Sequence, residues 1–127
     1  MIFCDAAHKE FFLKNKVFAG SDVYTLPLIY LLGLTEDTRR NFNRIYDIKK
    51  KEIDIEQLSQ GWQTGTTVKI TRLAFNLFNG FVFEDLRDFN DDRVSSKYAV
   101  DNIFCCSLAP YFWEAIKLRF PEYCTGY

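Results

Sequence analysis

The stretch LPLIYLLGL, from Leu26 to Leu34, constrains this chain more than any other. It is apolar almost without a break, yet it is about half as long as the ~20 residues a bilayer-spanning helix needs. Wound as a helix, it places Leu26, Leu28, Ile29, Leu31 and Leu32 on several faces. A helix apolar most of the way round belongs in the middle of a fold, covered by other elements.

The remaining sequence reads as those covers. Asp5 caps a first helix running to about Asn15, with Ala7, Phe11 and Phe12 at helical spacing. Gly20-Ser21 breaks that pattern. Ser21 or Thr25 then caps the apolar helix, with Pro27 near its start, where a missing N–H matters least. Gly33 ends it and Thr35 caps a third helix, with Glu36 and Asp37 at the positive end of the dipole. Phe42, Ile45 and Tyr46 form the buried side of that helix, and Arg39, Arg40 and Arg44 the opposite side. Lys49 to Glu52 is a polar connector, and Ile53 to Gln60 a short helix.

The clearest periodicity lies in GWQTGTTVKITRLAFNLFNG, Gly61 to Gly80. Ile70, Leu73, Ala74, Leu77 and Phe78 fall at i, i+3, i+4, i+7 and i+8, a full amphipathic match, and Gly80 is a good stop. Phe81 to Ala99 reads as a long loop holding the acidic run EDLRDFNDD, with a short hairpin at Phe81–Val82–Phe83. Asp101 caps a short helix. Ala109-Pro110 opens the last one, with Phe112, Ala115, Ile116 and Phe120 inward and Pro121 at its end. The expected fold is all-α: a compact bundle of five to six helices with at most a minor hairpin, as one globular domain over residues 1–127.

Size and composition fit that picture. A domain of this length buries about two-thirds of its unfolded surface. Thirteen Phe, seven Tyr and two Trp can supply much of the core, with any surplus serving as interface anchors. The net charge of −1 argues against a dedicated nucleic-acid binder, whose affinity comes from neutralising phosphates. The opening MIFCDAAHKE lacks the basic start and apolar stretch of a signal peptide, so a cytoplasmic protein away from membranes is expected. In a reducing compartment Cys4, Cys105, Cys106 and Cys124 are free, mostly buried thiols.

The chemical motifs fail one by one. Gly61 and Gly65 are one residue too close for a phosphate-binding P-loop, and Thr66-Thr67 replaces its Lys-Ser/Thr. A helix start carrying Thr66, Thr67 and Lys69 can still hold an anion through free N–H groups, although the simpler reading is Thr66 or Thr67 as an ordinary N-cap with Trp62 packed on the core. Lys69, Arg72, Asn76 and Asn79 form a stripe with no carboxylate, which points to an acidic partner or to a solvated face.

Cys4 and His8, four apart, share one side of a helix reaching back to Cys4. With Cys105 and Cys106 they suggest zinc, or a Cys–His nucleophile, but no C-x-x-C knuckle exists. No metal or cofactor is expected. Asp88, Asn90 and Asp92 start like a calcium loop that Arg93 and Ala99 spoil, since its sixth position should be Gly and its twelfth Glu.

The Gly61–Gly80 segment and IFCCSLAPYFWEAIKLRFPEY, Ile103 to Tyr123, resemble segments of a family of small uncharacterised proteins found in Firmicutes, their phages and integrative elements. The resemblance implies no activity, cofactor or catalytic residue. It does imply a mobile-element setting, where small proteins often bind host or defence machinery. The expected function is a non-enzymatic protein-interaction module that inhibits a defence system such as a CRISPR nuclease. Its contact residues would be Trp62, Gln63, Thr66, Lys69, Arg72 and Asn76, with the acidic loop as a second surface. The alternative is a nucleic-acid or nucleotide binder using the Gly61–Lys69 helix start.

Overall fold

In a computed structural model of the chain, residues 28–32 are wholly removed from solvent, and the other elements are arranged to keep them so. The structure describes residues 1–83 and 95–126; the acidic run from Glu84 to Asp92 lies outside them, as does the calcium-like start within it. In chain order the helices are α1 (Ala6–Asn15), α2 (Thr25–Leu32), α3 (Glu36–Arg40), α4 (Phe42–Ile45), α5 (Gly65–Asn79), α6 (Val100–Ile103) and α7 (Ala109–Arg119). Two short strands, β1 (Tyr46–Asp47) and β2 (Glu52–Ile53), sit between α4 and α5, and 3-10 turns occupy Lys16–Phe18, Ile55–Ser59 and Ser96–Tyr98.

Helix α2 is the hub, packed against α1, α5 and α7. Each of its Leu and Ile side chains so buried contributes ~1.5–3 kcal/mol relative to exposure. The close approach of α1 depends on Gly33: a Cβ there would lie 2.7 Å from Phe11 Cδ1 and 3.0 Å from His8 Cδ2. Helix α5 brings the amphipathic face that the sequence announces, with Ile70, Leu73, Ala74 and Leu77 buried and Phe78 half-buried. Gly80 ends it in the left-handed region, at φ 80°. Helix α7 opens at Ala109-Pro110 and buries Phe112 and Ala115 as expected; Ile116 and Phe120 are only half-buried. Asp5 caps α1, its carboxylate accepting the His8 N–H at 2.8 Å.

Elsewhere the fold departs from the sequence reading. It is mostly helical with one small hairpin, within the expected class, but its described residues form seven α-helices rather than five or six. Asp22, not Ser21 or Thr25, closes the start of α2: its carboxylate accepts from the Tyr24 N–H (2.9 Å) and the Thr25 hydroxyl (2.7 Å).

Thr35 caps α3 reciprocally with Thr38, but the expected third helix breaks at Asn41. There the side-chain amide donates to the Asp37 carbonyl at 2.8 Å, a local bond that competes with helix continuation. Phe42, Ile45 and Tyr46 are still buried.

The connector at Lys49–Glu52 is a hairpin turn, pairing Tyr46 with Ile53 and Asp47 with Glu52. Asp47 holds it by accepting the N–H groups of Lys49 (2.9 Å) and Lys50 (3.0 Å), and Lys51 takes the left-handed conformation at φ 56°. Where a second hairpin is expected, the described residues Phe81–Phe83 form no strand, and the residues it would turn through lie outside the described ones. The Val82 carbonyl accepts the Ser95 N–H at 2.8 Å, and Phe81 packs edge-on against Phe75, 6.3 Å between ring centres. The expected helix from Ile53 to Gln60 is a 3-10 turn capped by Asp54, and Asp101 lies inside α6 rather than at its cap.

Candidate functional site

The N-terminus of α5 is closed by its own side chains. The cap is Thr64, one turn earlier than Thr67 and outside the expected pair Thr66 and Thr67. Thr64 Oγ1 accepts the Thr67 N–H (3.1 Å), and Thr67 Oγ1 accepts the Thr64 N–H (2.7 Å), a reciprocal cap. Gln63 extends the network: its side-chain Oε1 accepts from Thr67 Oγ1 (2.7 Å), and its Nε2 donates to the Gln57 main-chain carbonyl (3.1 Å) and to Thr71 Oγ1 (3.2 Å). The Trp62 indole packs half-buried on the core and donates to Gln57 Oε1 (3.1 Å). Thr66 is exposed.

The polar stripe of α5 ties this helix to the chain that follows. Lys69 Nζ donates to the Cys105 carbonyl (3.3 Å) and lies 3.2 Å from its sulfur. Asn76 donates to the Phe81 carbonyl (3.3 Å), and Asn79 accepts the Phe81 N–H (3.1 Å). Arg72 is half-buried. The three arginines of the preceding segment are likewise engaged. Arg39 donates to the Gly33 carbonyl (2.7 Å), Arg40 pairs with Asp37, and Arg44 donates to Asn41 Oδ1 (3.3 Å).

Beyond Asn76 the stripe leads into a groove of about 430 Å³ between the ends of α5 and α7. Arg119 builds one wall, its guanidinium 4.0 Å over the Tyr24 ring and its Nε donating to the Leu77 carbonyl at 3.0 Å. Neither Arg119 nor Tyr24 carries a sequence signal for this placement, because they are brought together from elements 95 positions apart.

The Cys4–His8 pair lies elsewhere, and its chemistry is spent on the fold. His8 is completely buried. Its Nδ1 accepts the Cys4 N–H (3.1 Å), so Nε2 carries the proton and donates to the Tyr30 carbonyl (2.8 Å). Both ring nitrogens are therefore used, and neither has a lone pair for a metal or for activating a thiol. Burial holds the His8 pKa below its ordinary value, keeping the ring neutral, and raises the Cys4 thiol. Cys4 Sγ donates to the Leu34 carbonyl at 3.5 Å. Cys105 is at Lys69, where it donates to the Asn102 carbonyl, and Cys106 faces the Ile103 carbonyl.

Sequence reasoning missed one feature altogether. Among the described residues, the exposed large apolar side chains are concentrated near the start of the chain: Met1, Ile2, Leu13, Val17, Phe18 and Tyr24 account for six of nine. Periodicity cannot find them, because a Leu or Val on a short helix reads as core until the packing is known.

No helix of the described residues is long and apolar enough to cross a membrane. No curated protein and no solved structure matches the chain. A family model described as a family of unknown function (DUF6075) matches residues 1–127, the whole length, and the chain belongs to that family.

Proposed function

We propose that the protein is a non-enzymatic protein-interaction module, and that in a phage or mobile element it acts on a host defence protein such as a CRISPR nuclease. The observation that carries the first part is the concentration of six large apolar side chains in the solvent near the chain start. Met1 and Val17 line one groove, and grouped rather than scattered exposed apolar surface is a mark of association. The engagement of His8 and Cys4 by main-chain groups supports a binding role over nucleophilic chemistry. The α5 edge from Trp62 and Gln63 through Thr66, Lys69 and Arg72 to Asn76 is a second contact surface in this reading. Its basic, carboxylate-free character suits an acidic partner.

The test is a pull-down from a native-host lysate with the tag at the C-terminus, beside a folded Lys69→Glu/Arg72→Glu variant. Recovery of one specific protein by the wild-type chain is expected. Loss of that protein with the variant places the contact on α5, and retention moves it elsewhere on the module. Nucleic acid co-eluting without any protein, released steeply by salt, would replace this reading with nucleic-acid binding.

A further inference from the structure

A groove of about 440 Å³ runs between the C-terminal end of α1 and the outer side of α7. Phe12, Leu26 and Leu118 form its floor and walls, and Met1 and Val17 stand at its rim, Val17 with 71% of its surface exposed. Lys16 is the one ionisable side chain among the lining residues. Lys9 and Leu13, at i and i+4, follow one edge of α1, and the 3-10 turn that continues it carries Lys16 and Val17. All four are exposed, and among the described residues neither Lys9 nor Lys16 has a carboxylate within ion-pair distance.

From this juxtaposition we infer that the groove docks a short acidic, amphipathic segment of a partner protein, with apolar side chains against Val17 and Leu118 and carboxylates against Lys9 and Lys16. The inference rests on the interaction-module reading and names its surface and the chemistry of its partner. Charge selects this occupant over two others. A two-fold contact between copies centred on the groove would bring Lys16 against Lys16. Anionic membrane recognition draws on clusters of ~4–8 basic residues, and this edge carries two lysines.

The probe is a displayed library of random peptides, selected on the immobilised full chain with its N-terminal region unobstructed. The most enriched peptide is then titrated by fluorescence anisotropy. Expected are peptides combining Asp or Glu with two or more large apolar residues. Val17→Asp should weaken binding roughly tenfold or more, as loss of an interface anchor does. Lys9→Glu/Lys16→Glu should weaken it too, with recovery when the peptide's acids are changed to Lys.

Folding of each variant is checked by its thermal transition, and the exposure of these residues makes retention of the fold the expected result. Enriched peptides without acidic bias, or binding indifferent to Val17→Asp, would overturn the groove assignment. If such binding is lost instead with Lys69→Glu/Arg72→Glu, the module reading stands and its surface is α5. Concentration-dependent dimerisation abolished by Val17→Asp, or sedimentation with phosphatidylserine vesicles, would assign the groove to a second copy or to a membrane. No enriched peptide from the library, together with no protein from the lysate, would remove the groove and the module alike.

Discussion

On its inner edge, α1 presents His8 and Phe12 to the body of the protein, with Asp5 as its cap; its outer edge carries Lys9 and Leu13 and continues into the 3-10 turn with Lys16 and Val17. The inner edge is polar in composition and fully satisfied. His8 is buried with both nitrogens bonded, Asp5 caps the helix, and Phe12 and Tyr30 pack edge-on 5.9 Å apart. The outer edge has apolar side chains in water and lysines without a partnered carboxylate among the described residues. A residue's type alone therefore misleads here. The buried histidine belongs to stability, because its hydrogen bonds are made at home. The leucine and valine add little to stability, because they stand in the solvent, and in the proposed reading they serve association.

The largest effect that could break this contrast is at His8. His8→Ala strands the Cys4 N–H and the Tyr30 carbonyl and leaves a cavity beneath Phe3 and Tyr30. The expected loss is ~3–5 kcal/mol, combining unsatisfied polar groups with lost packing. Urea titration should show it as a lower midpoint at an unchanged slope. A loss below ~1 kcal/mol would mean that the inner edge is not the structural one.

A smaller effect comes from pH. Burial depresses the His8 pKa from its ordinary 6.5 against the opposing pull of the Tyr30 carbonyl and the Asp5 carboxylate, while Arg39 adds to the depression. The unfolded chain therefore takes up the proton first. The stabilisation from neutral His8 is fully present above pH 6.5, is lost as pH falls toward the folded-state pKa, and levels off below it. The slope in this window is at most ~1.4 kcal/mol per pH unit. His8 is the single histidine of the chain, so stability measured between about pH 7 and about pH 5 reports it before most carboxylates titrate. A slope that persists in a folded His8→Phe variant would assign the effect elsewhere.

The parts legible in the sequence are those written in local patterns. The apolar run of α2 and the full periodicity of α5, closed by Gly80, need no knowledge of neighbours. The hairpin at Tyr46–Ile53 was hidden because its turn has no Gly or Asn and relies on the Asp47 carboxylate. The break at Asn41 was hidden because the helical apolar spacing continues through it. At the candidate surface, the donor stripe of α5 was visible. Its partners were not: Lys69 meets Cys105 from 36 positions away, and Gln63 bridges the 3-10 turn to Thr71. The groove beside Val17 is a tertiary property throughout, since Val17 and Leu118 line it from opposite ends of the chain.

The smallest expected effect sharpens the comparison most. If the outer edge serves association, the isolated protein should barely notice its loss. Leu13→Ser, Val17→Ser and Phe18→Ser alter side chains that are 45%, 71% and 50% exposed, so each should move stability by no more than ~0.5 kcal/mol. Because these residues are neighbours, the triple variant is the stricter test: near-additivity would keep its total within ~1.5 kcal/mol, well short of the His8→Ala loss. Thermal melts and urea titrations of the three single variants and the triple variant measure this directly. A triple variant as unstable as His8→Ala would show that α1 needs its outer edge to hold together, and exposure there would then say nothing about a partner. A stable triple variant that has lost peptide binding would separate the two edges cleanly: one sustains the fold, and the other is spent outside it.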